Sequence, residues 1–335
     1  MKQRFFRILQ FTGCLAAGIL LLFIAFRGLD LKQLADQFRQ ADYRWVWLSL
    51  VFGVCSHIFR ACRWRLMCGP LGHKPTVFRT LCAVMTGYLT NFAFPRAGEV
   101  ARCAVLTRTD RLPFEKLLGT VVTERAVDLL CVLLMLAALL VFRFGFFGDF
   151  LHRELFVPAA QYFTGHATAR WWAAAVLALL AAAAVLLLRK SRRRFAGRIR
   201  QILQGLWEGL ISIFRMEHRG AFVAFTVLLW GAYFLQTYVI FFAIPATSGL
   251  TPVDGIFILV MCSLGFVVPV QGGIGAYHWI VSLSLMLYGI ARADGLVYAT
   301  IAHTSGSLLT IGMGFAALVC LGFIRKANPE QPSLS

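Results

Sequence analysis

Residues 85–128 read MTGYLTNFAFPRAGEVARCAVLTRTDRLPFEKLLGTVVTERAVD. The flanking sequence is built for lipid, yet this stretch holds Arg96, Glu99, Arg102, Glu124, Arg125 and Asp128. A charge in hydrocarbon costs about 2.5–3.5 kcal/mol on insertion scales, so such residues persist where they are paired or face water. The stretch is therefore the expected functional core of a chain that otherwise lives in a membrane.

Working outward, 59% of the 335 residues are hydrophobic and the mean hydropathy is +0.73. Several apolar runs reach the roughly 18–20 residues that carry a helix across about 30 Å of hydrocarbon. A β-barrel would show short alternating segments instead. The expected fold is an all-α polytopic membrane protein of about seven to nine transmembrane helices, re-entrant or broken segments included. One membrane domain is expected over 1–326, with a polar tail over 327–335. The net charge is +18, but the basic residues lie between apolar runs, as positive-inside topology and anionic lipid require. No nucleic-acid partner is expected. The nine cysteines form no CxxC and no metal-ligand spacing, so neither a disulfide framework nor a metal is argued.

Taken in order, 5–26 reads as a first, uncleaved helix held by Lys2, Arg4 and Arg7 on the cytoplasmic side. Residues 27–44 mix charges as a short surface helix would. A second helix over 45–62 ends in HIFRACRWR, whose Arg60, Arg63 and Trp64 are expected to snorkel to the interface. The run 77–94 is short and carries Arg79, Gly87 and Asn91 before Pro95. If it crossed fully, every later element would invert. The Arg-dense, acid-free run 189–200, RKSRRRFAGRIR, must then lie outside, against the positive-inside rule. Hence 77–94 is expected to enter and return as a re-entrant hairpin, preceding a helix over 117–142 and another over 171–188. An amphipathic surface helix over 197–219 and helices over 221–244 and 296–323 complete the chain, with Arg325 and Lys326 keeping the C-terminus cytoplasmic.

Between the last two, 255–290 is interrupted by VPVQGGIGAYHW (268–279). Two Gly/Pro-broken segments in the two halves are the sequence pointer to a midplane binding site built from internal repeats. An inverted repeat follows if the second segment dips from the opposite side; two short crossings fit the charges equally well. Around these breaks stand the residues with chemistry. Glu124 and Asp128 are four apart and share a helix face, with Arg125 able to pair with Asp128. One reading is a structural ion-pair cluster. The other is a polar cavity in which Arg96, Arg102 and Arg125 hold an anionic head group while Glu99, Glu124 and Asp128 balance charge or relay a proton. Arginine's planar fork suits phosphate better than lysine does. Gly272, Gly273 and Gly275 after Pro269 offer a turn where backbone N–H groups could face an anion. For His278 and His303 a satisfied hydrogen bond is the default over a proton relay. No P-loop, GxSxG or HExxH occurs, so no cofactor and no covalent catalysis are expected.

NFAFPRAGEVAR (91–102), VVTERAVDLL (121–130) and VPVQGGIGAYHW, with RACRW at 60–64, resemble the transmembrane flippase-like domain of lysylphosphatidylglycerol synthases. That family also includes stand-alone multipass proteins. In the synthases this domain flips aminoacylated phosphatidylglycerol, and a separate soluble domain transfers the amino acid. Here the sequence ends after its last apolar run, so the resemblance implies a flippase or transporter without synthesis. Its implied location is a bacterial inner (plasma) membrane. The substrate would be a phospholipid or other lipid-linked anionic head group, bound by Asn91, Arg96, Glu99, Arg102, Glu124, Arg125, Asp128, Gln271, Gly272, Gly273 and His278. One departure stands out: the family's glycine motif is usually followed by a glutamate, near which this chain has His278. Two other classes compete. One is a membrane transferase acting on a polyprenyl-phosphate or phospholipid, with Glu124 or Asp128 as base. The other is a non-catalytic partner of a lipid-modifying enzyme. A homo-oligomer is open in each.

Overall fold

The computed structural model describes residues 2–69, 75–94, 97–142, 217–268 and 270–327. Within them the chain is all-helical, as its composition requires, with no strand among the described residues. Helix α1 (Lys2–Phe26) leads by a tight turn to α2 (Leu31–Gln40) and α3 (Tyr43–Cys68). Aspartates start the latter two: Asp30 accepts the Lys32 N–H at 2.8 Å and Asp42 the Arg44 N–H at 3.0 Å. These caps satisfy donors that a helix start otherwise leaves orphaned. Thr76 does the same for α4 (Val77–Ala93). Helix α5 (Gly98–Asp110) stops at Arg111, which is left-handed at φ 55°, and Pro113 precedes α6 (Phe114–Phe142). Further on come α7 (Arg219–Tyr238), extended by a 3-10 turn over Val239–Ala243, and α8 (Pro252–Val267), opened by a Thr251–Asp254 capping box. A 3-10 turn over Gln271–Gly273, then α9 (Ala276–Met286) and α10 (Arg292–Ala327), close the fold.

Three of these helical stretches, Tyr43–Cys68, Arg219–Ala243 and Arg292–Ile324, are each long and apolar enough to cross a membrane. The helices run a few residues beyond the apolar runs, because polar first and last turns are helical too. For α3 the difference matters. It continues through HIFRACRWR, so Arg60 lies eight residues, about 12 Å, inside its end.

The run 77–94 and the segment after it form a helix–break–helix hairpin. α4 spans about 25 Å and α5 about 20 Å at the helical rise, both short of a full hydrocarbon crossing. They lie antiparallel: Arg79 pairs with Asp110 at 3.1 Å near one end, and Gly87 packs on Gly98 near the other. A β-carbon on Gly98 would sit 2.7 Å from Asn91 Cγ and collide with the Gly87 carbonyl oxygen, so only hydrogen fits this crossing. α8 and α9 form a second such hairpin, with Phe257 against Tyr288 and Gly265 against Tyr277.

The chain divides into two compact units, Met1–Glu124 with Ile213–Ser335, and Arg125–Ser212. In the first, α7 packs along α3, and α10 along α4 and α9. The start of α10 is tied back by Arg292 Nη2, which donates to the Ile24 and Ala25 carbonyls, and by a Gln37–Asp294 hydrogen bond of 2.6 Å. In the second, the described part of α6 presents Leu129, Leu133, Leu134 and Val141 outward. The expected helix over 171–188, the basic run 189–200 and nearly all of the surface helix over 197–219 lie outside the described residues.

Candidate functional site

Glu124 is fully buried, and three arginines converge on it. Arg60 Nη1 donates to Oε1, Arg63 Nη2 stands 3.4 Å from the same oxygen, and Arg102 Nη1 donates to Oε2 at 3.0 Å. Two of these arginines come from α3 and one from α5, each at least 22 residues from Glu124 along the chain. Aromatic rings line the guanidiniums. Arg102 lies 4.7 Å from the Trp64 ring centroid, Arg60 lies near the rings of Tyr88 and Tyr233, and Arg63 lies 5.9 Å from Phe222. Arg60 also donates from Nε and Nη2 to the Tyr233 hydroxyl at 3.2 and 3.0 Å. Arg102 Nε and Nη2 are buried and make no hydrogen bond to any described residue.

Arg60, Arg63 and Trp64 thus correct the expectation of snorkelling. Arg63 and Trp64 are completely buried, and Trp64 Nε1 donates to Thr120 Oγ1 at 2.9 Å. The signal that could have found them is the i,i+3 spacing of two arginines within a helix whose cap at Asp42 sets its true start.

The other expected residues separate into three places. Arg125 and Asp128 pair with each other at 3.8 Å within α6, and Arg125 is exposed. Asn91 closes the first hairpin, its Oδ1 accepting the Gly98 N–H at 2.7 Å. Glu99 occupies the first turn of α5, half-buried with one carboxylate oxygen inside. Arg96 and Pro95 lie outside the described residues, as does Pro269.

The third place is the second hairpin's break. Gly272, Gly273 and Gly275 have φ of 57°, 78° and 81°, the left-handed region that strains any other residue. A β-carbon on Gly272 would come within 2.5 Å of Phe92, so the tips of the two hairpins touch there. Gln271 and His278 are buried beside the contact. His303, from α10, puts Nε2 2.7 Å from the Gly272 carbonyl oxygen, the satisfied hydrogen bond expected of it, and lies tilted against His278 at 4.8 Å between ring centroids.

Among the described residues no group of three or more His, Cys, Asp or Glu is placed to hold a metal ion. The arrangement supplies instead a cationic, aromatic-lined cluster and, apart from it, a break where backbone is freed from helix. Comparison with known proteins finds a family match over residues 10–314, to the lysylphosphatidylglycerol synthase TM region. No curated protein and no solved structure matches the chain.

Proposed function

Because this chain belongs to the lysylphosphatidylglycerol synthase TM region family, we propose that it translocates a phospholipid or another lipid-linked anionic head group across its membrane. Membership makes it a multi-pass membrane protein of lipid head-group handling. The observation that carries the finer reading is the Glu124 cluster, where three arginines converge on one carboxylate and Arg102 Nε and Nη2, both buried, make no hydrogen bond to any described residue. A phosphate oxygen suits these donors, because it accepts from the guanidinium fork of Arg102. Glu124 then acts as the resident stand-in that holds the arginines in place when no substrate is bound. The touching tips of the two hairpins supply the second element, a junction whose freed backbone can line a polar path.

This reading assigns no covalent chemistry to the site, and so no enzyme activity. It takes the membrane to be a bacterial plasma membrane, as the family resemblance implies, and both termini to be cytoplasmic, on the strength of Lys2, Arg4, Arg7, Arg325 and Lys326. The test is purified protein in liposomes carrying dye-labelled phospholipids of differing head groups, with a reductant that bleaches the outer leaflet. Wild type is expected to expose the protected inner-leaflet dye of anionic lipids. Arg102→Lys keeps the charge beside Glu124 but loses the fork, and is expected to slow exposure by about tenfold, the scale of one charged hydrogen bond. Rates equal to empty vesicles for every head group would move the function to a transferase or a partner of one.

A further inference from the structure

We propose that His278 and His303 form a proton-binding pair that guards the junction of the two hairpins, so that proton uptake loosens it. The coupling of that proton to lipid movement rests on the translocation reading above; the pair itself does not.

The two imidazoles come from neighbouring helices, α9 and α10, and both are buried, 4% and 6% exposed. Their rings are 4.8 Å apart and tilted by 56°. A carbonyl oxygen only accepts, so His303 Nε2 carries the hydrogen toward Gly272, and in the neutral ring Nδ1 keeps a lone pair. His278 Nδ1 is buried without a hydrogen bond to any described residue. Each ring therefore retains a nitrogen that can take up a proton or a new partner. The carbonyl that His303 holds belongs to Gly272, the residue lying under Phe92 where the hairpins touch. Thus the pair is fastened to the contact itself.

The surroundings decide what a proton would do. From α8, Phe266 stacks on His303 at 6.0 Å and Cys262 donates to the Tyr277 hydroxyl at 3.1 Å. From α9, the Tyr277 ring lies 5.1 Å from His303, and α10 adds Tyr298, buried nearby. α1 has no charged side chain between Thr12 and Phe26. The first hairpin carries Glu99 and Arg102 on the tip half of α5 and Arg79 at the far end of α4. A positive charge on the pair would thus sit among rings and backbone, which is unfavourable without water, and a second would repel the first. Parting the tips admits water. The parted form then binds the proton better, and by linkage the proton favours the parted form. Protonated His303 still donates to Gly272 through Nε2, so the burial of charge drives the opening and the hydrogen bond need not break.

The experiment is hydrogen–deuterium exchange on the full-length protein in nanodiscs, following residues 270–279 at about pH 7.5 and about pH 5.5, the range in which imidazole titrates. After correction for intrinsic rates, opening of this segment in wild type is expected to rise about tenfold on acidification, the value for one proton bound with ordinary imidazole affinity in the open form. The double variant His278→Gln with His303→Gln, whose amide at 303 still reaches toward the Gly272 carbonyl, is expected to abolish the rise. A wild-type protein with no acid step overturns the proposal whatever the variants do. So does an acid step that survives in the double variant. Liposome translocation measured in parallel separates the two readings. An acid step carried by the histidines without translocation at any pH keeps the pair and removes the transporter. Translocation without an acid step keeps the transporter and removes the pair.

Discussion

Glu124 and Asp128 share one face of α6, but their partners set them far apart in consequence. Glu124 is enclosed by Arg60, Arg63 and Arg102, and its loss leaves three buried cations without the carboxylate they surround. Glu124→Gln is expected to lower stability by about 3–5 kcal/mol, the range for breaking a buried pair, read as a fall in the midpoint of thermal unfolding in nanodiscs. Asp128→Asn is expected to change it by less than about 1 kcal/mol, because its partner Arg125 is 42% exposed and screened. Equal losses from the two variants would contradict the placement of the cluster. Adding Arg63→Met to Glu124→Gln is expected to restore part of the lost stability, since an apolar side chain removes one of the stranded charges. At this scale the sequence was legible for Glu124 and Arg102, which stand out as charges in an apolar stretch. It was not legible for Arg60 and Arg63. They look like an interfacial end until the full length of α3 is known, and pairing across 64 residues leaves no local periodicity to read.

At the scale of elements, the two broken segments were readable because glycine, proline and asparagine interrupt hydrophobic runs for backbone reasons that act within a few residues. Their meeting was not, since it depends on how α4 and the 3-10 turn after α8 pack. The contact makes a specific prediction. Gly272→Ala carries two penalties, a left-handed backbone angle and a clash with Phe92. The first is worth about 1–2 kcal/mol for a residue with a β-carbon, and overpacking adds about 1–3 kcal/mol. Phe92→Ala is expected to relieve the clash alone. The double variant should therefore recover part of the stability lost in Gly272→Ala, but not all of it. A double-mutant cycle on unfolding midpoints gives the coupling. Simple additivity would mean that the tips do not touch.

At the scale of the whole molecule, the proposed topology, with the N-terminus cytoplasmic, puts Asp42 and Gly69, at the two ends of α3, on opposite sides of the membrane. In a cysteine-free background, Asp42→Cys is expected to react with a membrane-impermeant maleimide added outside intact cells, and Gly69→Cys only after permeabilisation. The reverse pattern would invert the orientation. Amino-acid sequence by itself determined that this is an all-helical membrane chain, where two of its segments break, and the family to which it belongs. Those features follow from interactions among near neighbours: hydropathy over a span, and glycine and proline at a break. Only the tertiary structure decided that Glu124 is shared by Arg60, Arg63 and Arg102, that Phe92 rests on Gly272, and that His303 reaches the Gly272 carbonyl beside His278. A buried charge must find a partner somewhere, but which one it finds is set by the helices that packing brings alongside it.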